Sequence, residues 1–141
     1  MSPEAEGWAI LGRAIGRPVE LLVASLGEPA ARRRVGESLW LVFDAPDGIL
    51  RVRGRVGSRG ATVASWSLTF RNGPVTLRAA TEPLGLWPAC GPEAAEGGDD
   101  EPLLLRAVPG GGDGGLCSFT ASIRGGRIRT VALFDEPPEW L

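Results

Sequence analysis

The chain of 141 residues contains no histidine, no lysine and no tyrosine, so all 15 of its basic residues are arginines. Without histidine it lacks the usual general base and the commonest metal ligand. Without lysine, Schiff-base chemistry is excluded. Its serines and cysteines have no histidine to activate them. We therefore expect no catalytic residues, no cofactor and no metal site.

Cysteine is also scarce: the sequence contains two, Cys90 and Cys117. Two cysteines without a histidine cannot complete the usual four-ligand zinc site. We expect a cytoplasmic address, where these residues would be buried free thiols rather than a disulfide.

Long apolar runs are absent as well. No stretch of 18 apolar residues occurs, which predicts that the chain has no membrane span. Residues 1–17 have acids near the start and no long apolar core, unlike a secretory signal. The net charge of −2 argues against a general nucleic-acid binder. A hydrophobic content of 43% is nevertheless ample for a globular core.

The most informative stretch is residues 38–56. Two strand-like runs flank a turn at 44–48, where Pro46 fixes φ and Gly48 accepts a positive φ. The second run alternates between apolar residues and arginines, the period of a strand with one dry and one wet face. The stretch therefore predicts an antiparallel hairpin whose wet face carries three arginines. They are Arg51, Arg53 and Arg55.

Other patterns extend this hairpin into a larger fold. Apolar spacing and capping residues predict two short helices near residues 2–16 and 18–26, followed by a basic connection at 30–37. Alternation predicts a strand at 61–70, and the Asn72-Gly73 pair predicts a hairpin leading to a fourth strand at 75–79. The second half shows a short helical candidate, an acidic glycine-rich loop and three strands. Their ranges are 81–87, 91–102, 103–108, 116–123 and 127–134.

The two halves correspond at an offset of 64 residues. The segment at 26–31, which ends the second helix, matches 90–95, and 40–43 matches 104–107 at the same offset. A repeat of this length indicates that the fold is built from two similar structural units. It predicts an α+β protein of two tandem repeats, each a short helical pair plus an antiparallel sheet of about four strands. The first repeat would cover 1–80 and the second, shorter one 81–141.

The pattern of a helix ending in Leu-Gly-x-Pro, a polar gap and a hairpin resembles the small outer-membrane assembly lipoprotein family. It is more similar to its tandem-repeat relative, the β-lactamase inhibitory protein family. The resemblance implies two side-by-side units whose sheets form one concave surface that grips a partner protein. Because tyrosine is absent, the inhibitor's particular target is not implied. The residues that carry it are Leu26, Gly27, Pro29, Gly36, Trp40, Phe43 and Gly48.

The wet sheet face is the strongest candidate site. Arginine is enriched at protein interfaces and binds carboxylates through two parallel hydrogen bonds. Trp40 faces outward if Leu39, Leu41 and Phe43 face the core, and would then be an anchor. The sequence thus favours a non-enzymatic protein-binding module of the inhibitor, immunity or assembly-subunit type, with an acidic partner. The candidate residues are Trp40, Arg51, Arg53, Arg55, Ser65, Ser67, Thr69, Ser118, Thr120 and Arg129, with Ser122 and Arg127 as further members.

Two alternatives remain open. One is a structural subunit of a larger complex that docks by its helical side or its C-terminal tail. The other is a small enzyme with a carboxylate-only mechanism, for which Asp44 and Asp47 in the hairpin turn would be the first residues to test. Converging carboxyl groups in a deep pocket would favour the enzyme, whereas a shallow open face would favour binding.

Overall fold

The computed structural model describes residues 8–85, 102–109 and 116–134. Within these ranges, seven strands form one antiparallel sheet in the order β1-β2-β3-β4-β7-β6-β5. The strands are β1 (Ala31–Val35), β2 (Ser38–Ala45), β3 (Gly48–Gly57), β4 (Gly60–Phe70), β5 (Pro102–Pro109), β6 (Leu116–Arg124) and β7 (Arg127–Phe134).

Pairing between β4 and β7 joins everything into this one sheet. Ser65 pairs with Phe134 and Thr69 with Thr130, so the meander β1–β4 continues directly into β7, β6 and β5. The prediction of two tandem helix-plus-sheet repeats is therefore wrong. Local sequence similarity indicates that the two halves contain similar strands. It does not reveal that β4, the last strand of the first half, pairs with β7, the last strand of the second half.

Short helical elements cover one face of the sheet. They are a 3₁₀-helix (Ala9–Arg13), α1 (Val19–Leu26), α2 (Leu77–Thr81) and a second 3₁₀-helix (Glu82–Leu84). The helix predicted near residue 18 is confirmed, because Pro18 precedes α1 and Gly27, with φ 94°, follows it. Of the predicted first helix, the described part is Trp8, which has α-helical backbone, followed by a short 3₁₀-helix; residues 1–7 lie outside the described residues.

The core lies between these helices and the sheet. Trp66 is its largest fully buried side chain and donates from Nε1 to the Leu11 carbonyl oxygen over 2.9 Å. This bond ties the first 3₁₀-helix to the centre of β4. On the adjacent strand β3, Gly54 lies under α1, where a Cβ would meet Val19 Cγ2 at 2.9 Å. The missing side chain at Gly54 lets the helix approach the strand closely.

Two predicted segments have a different structure. The predicted basic connection at 30–37 contains β1, because the Gly36 turn, with φ 60°, folds it back on β2.

The predicted hairpin at Asn72-Gly73 and strand at 75–79 are wrong, since helix α2 begins there instead. A Cβ on Gly73 would overlap the Ile128 carbonyl oxygen, and Ile128 N donates to Pro74 O over 2.8 Å. The absence of a side chain at Gly73 therefore lets this segment approach β7 closely, and Gly73 does not form a hairpin turn.

The predicted alternation is confirmed in the central strands. Leu50 and Val52 on β3 are fully buried and Arg51 between them is exposed, while Trp66 and Leu68 on β4 are buried. β7 is less regular, because its register with β6 shifts between Ser122 and Ile123. The acidic loop predicted at 91–102 lies, apart from Pro102, outside the described residues, as does Cys90.

Candidate functional site: the open face of the sheet

The candidate site is the sheet face that points away from the helices, called the open face below. Side chains alternate between the two faces of a strand, so every residue between two core positions belongs to it. The core-side residues in the middle of β3 and β4 are buried, whereas their open-face neighbours are half-buried or exposed. The predicted residues at 51, 53 and 55 and at 65, 67 and 69 all lie on this face.

Register brings the predicted arginines and tryptophan together on β1–β3, a region called the cationic part. Trp40 pairs with Arg33 on one side and Arg53 on the other, and Arg51 pairs with the neighbouring Val42. Trp40 is 43% exposed, which confirms the predicted outward orientation. Members of the cationic part are Arg33, Trp40, Arg51, Arg53 and Arg55.

Arg51 and Arg53 have no neutralising contact with the described part of the chain. Arg53 Nε donates to Ser38 Oγ over 3.4 Å, a contact between one charged and one neutral group. Arg51 makes no hydrogen bond or ion pair with the described part of the chain, although exposed Asp44 lies on the same face of β2. An ion pair joins Arg32 Nη1 to Glu20 Oε1 at 3.5 Å and links β1 to helix α1. The open face thus keeps positive charge that a partner's carboxylates can neutralise.

Hydroxyl side chains fill the next part of the open face. Ser65, Ser67 and Thr69 are half-buried on β4, and Thr69 Oγ1 lies 3.4 Å from Thr130 Oγ1 on β7. Beyond β7, half-buried Thr120 on β6 is paired with Ala132. Such hydroxyls donate and accept hydrogen bonds without adding charge. The open face therefore passes from a cationic part to a neutral hydroxyl part.

Two exposed aromatic residues stand in one row across both parts. The row runs from Trp40 on β2 through Arg53 and Ser65 to Phe134 on β7. Phe134 is 40% exposed. Three inter-strand steps of roughly 4.8 Å place the backbones of these two residues about 14 Å apart. Partly exposed aromatic residues at this separation can bury large apolar area against a partner.

The remaining residues predicted for the site lie on β6 and β7, away from the cationic part. The backbone of Ser118 pairs with Phe134, at the far end of the same row, and half-buried Ser122 pairs with Thr130. Arg129 is exposed and is the extra residue in the β6–β7 bulge, outside the regular rows. Arg127 is engaged, because its Nη1 donates to the Gly73 carbonyl oxygen over 3.1 Å.

Sequence reasoning missed Arg33 and Phe134, among other members of the open face such as Thr130. Arg33 was placed in a connection because three consecutive arginines do not resemble a strand. The Gly36-Glu37 pair between Val35 and Ser38 was the signal that could have found the β1–β2 turn. Phe134 was not assigned to a face, because the bulge shifts the phase of β7.

The carboxylates of the enzyme alternative do not share one pocket among the described residues. A cavity of about 180 Å³ lies on the helical side of the sheet and is lined by Asp47 with apolar side chains that include Trp8, Leu68 and Phe70. Asp44, by contrast, is exposed on the open face. No cluster of three metal-ligating side chains occurs among residues 8–85, 102–109 and 116–134.

The helical side carries its own exposed apolar residue. Leu21 on α1 is 43% exposed and, with Ile10, Arg13 and Arg17, lines a depression of about 290 Å³. This is the surface that the structural-subunit alternative would use. Across the described ranges, no helix has the length and apolar character needed to span a membrane.

Comparisons with protein-family models, curated proteins and solved structures returned no match. The resemblance to the inhibitor and lipoprotein families is not tested by them and stays a prediction.

Proposed function

We propose that this chain is a non-enzymatic protein-binding module whose open face docks onto an acidic surface of a partner protein. The observation that carries the proposal is the cationic part, in which Trp40 lies between Arg33 and Arg53 and Arg51 has no partner in the described part of the chain. An inhibitor, an immunity protein and an assembly subunit all work by such docking.

The size of the open face supports this proposal. Six inter-strand steps of roughly 4.8 Å give a sheet about 29 Å wide. A stable protein interface covers about 800 Å² on each partner, which a patch of this width can supply. An exposed tryptophan flanked by arginines is also the composition found at the energetic centre of interfaces.

Electrostatics gives the reason for an acidic partner. Arg51 and Arg53 project from the open face about 7 Å apart along one strand, so their charges repel one another when no anion is present. A partner's carboxylates would relieve this repulsion and accept paired hydrogen bonds from each guanidinium. Binding of this kind weakens as salt concentration rises.

The test compares proteins captured from native cells by the tagged full chain and by the Arg51→Ala/Arg53→Ala variant. Loss of two interfacial guanidinium groups should weaken association by roughly 2 kcal/mol or more, about 30-fold, and flatten its salt dependence. The melting temperature should hardly change, because exposed substitutions usually alter stability by no more than roughly 0.5 kcal/mol.

The matched control is Arg59→Ala/Arg71→Ala, which removes the same charge from exposed positions in a turn and beyond the end of β4. The proposal requires that this control keep the captured partner. Equal loss in both double variants would indicate a non-specific charge effect. Unchanged capture by both would overturn the open face as the docking site and favour the helical side around Leu21.

A further inference from the structure

The open edge of the sheet at β1 is a second feature that the docking proposal does not explain. Among the residues that the structure describes, β1 pairs with β2 alone and stands at one end of the strand order. All five of its residues are exposed, and three of them are consecutive arginines. An exposed strand edge is a template for pairing with another strand, so its chemistry decides which strand it accepts.

The turn between β1 and β2 shows which backbone groups face outward. Val35 and Ser38 flank a two-residue turn, so their backbones share the hydrogen bonds that close it. Backbone groups alternate in direction along an antiparallel strand. Ala31 and Arg33 therefore also point toward β2, and the N–H and C=O groups of Arg32 and Arg34 point away from the sheet. In agreement, Ala30 N donates to Val42 O over 2.7 Å, which shows that the Val42 carbonyl faces β1.

We infer that β1 accepts an extended acidic segment of the partner as an eighth strand of the sheet. The inference rests on the proposed function, since the added strand would continue the open face beside Arg33. Four outward backbone groups, two each on Arg32 and Arg34, supply its hydrogen bonds. Carboxylates of the segment then lie beside the β1 arginines, in the manner of strand addition to a sheet edge.

Charge complementarity selects this occupant over a second copy of the chain. Two β1 strands pairing antiparallel would bring arginine against arginine, which is destabilising for directly opposed residues. Arg32 is already paired with Glu20, and Arg34 Nε donates to the Gly36 carbonyl oxygen over 3.1 Å. Arg33 has no hydrogen bond or ion pair with any residue of the described ranges, and it projects onto the open face beside Trp40.

The probe is a capped eight-residue peptide of alternating threonine and glutamate, titrated into the ¹⁵N-labelled full chain. Binding should shift the amide resonances of Arg32 and Arg34 more than those of the inward-facing Ala31 and Val35. A second peptide with N-methyl groups on alternate residues keeps the charge but cannot pair along that edge. It should bind at least tenfold more weakly, and a threonine–lysine peptide should not bind.

A pair of variants separates the backbone edge from the charge. Arg34→Pro and Arg34→Ala both remove the guanidinium, but only proline removes the outward N–H, at an edge position where proline is tolerated. Strand addition predicts at least a tenfold loss of peptide affinity for Arg34→Pro relative to Arg34→Ala, with similar melting temperatures. If the proline variant unfolds, the N-methylated peptide with the wild-type chain decides the question.

The outcomes distinguish this inference from the proposed function. Equal affinity for the plain and N-methylated peptides, or equal binding of the lysine peptide, would overturn strand addition. If Arg51→Ala/Arg53→Ala still lost the native partner, the docking face would stand without it. Self-association of the wild-type chain in sedimentation, abolished by Arg34→Pro, would instead identify a second copy as the occupant and also overturn the inference.

Discussion

Replacing Trp66 by phenylalanine should destabilise the fold far more than the same replacement at Trp40. Trp66 is 1% exposed in the core, and its Nε1 donates to Leu11 O over 2.9 Å. Trp40 is 43% exposed on the open face. The two positions therefore compare one chemical change on the two faces of a single sheet.

The expected decrease in the free energy of unfolding of the Trp66→Phe variant has two causes. The Leu11 carbonyl would retain only the Ala14 N contact at 3.4 Å among its described hydrogen bonds, which costs about 1–2 kcal/mol. The smaller ring leaves unfilled space in the core, which adds roughly 1–2 kcal/mol. The expected sum is about 2–4 kcal/mol, or a fall in melting temperature of roughly 6–15 °C for a chain of this length.

The assay is urea unfolding followed by far-ultraviolet circular dichroism, with a thermal melt for each variant. Trp40→Phe should change the free energy of unfolding by less than about 0.5 kcal/mol. A cost below about 1 kcal/mol at Trp66, or equal costs at both positions, would refute the assignment of core and open faces.

Three further predictions follow from other contacts. Gly73→Ala should cost more than about 2 kcal/mol, because its Cβ would overlap the Ile128 carbonyl oxygen, whereas Gly57→Ala, whose nearest contact is at 3.7 Å, should be nearly neutral in the same urea assay. Glu20→Gln should lower stability by no more than about 0.5 kcal/mol, since its ion pair is largely exposed, and a larger loss in the melting curve would contradict that view. Both cysteines should react slowly with a thiol reagent in the native protein, and fast labelling without denaturant would count against buried thiols.

Alternation predicted the faces of the central strands correctly because it is a local property of the chain. In β3 the arginines at 51, 53 and 55 alternate with core residues, and the structure places them on one face. The turn at 46–47 and the limits of α1 were likewise predictable from Pro46, Pro18 and Gly27. The predicted positive φ at Gly48 is wrong, because Gly48 belongs to β3, where a Cβ would overlap the Thr69 carbonyl oxygen.

The features that sequence patterns missed depend on contacts between distant segments. The β4–β7 pairing joins Ser65 to Phe134 across about half of the chain, and nothing within either strand specifies it. The bulge at Arg129 moves Phe134 onto the open face without leaving a local signal. Gly73 resembled a hairpin glycine, yet its role depends on the position of Ile128. The candidate site was therefore predicted on β2, β3 and β4 and missed at β1 and at Phe134.

Site-specific photo-crosslinking tests the central claim most directly. Trp40 on the open face and Leu21 on α1 are both 43% exposed, so a benzophenone amino acid can replace either side chain at equal accessibility. After irradiation in native cells, the account predicts a crosslinked partner from position 40 and none from position 21. A partner crosslinked from position 21 and not from position 40 would contradict docking through the open face and place the interface on the helical side.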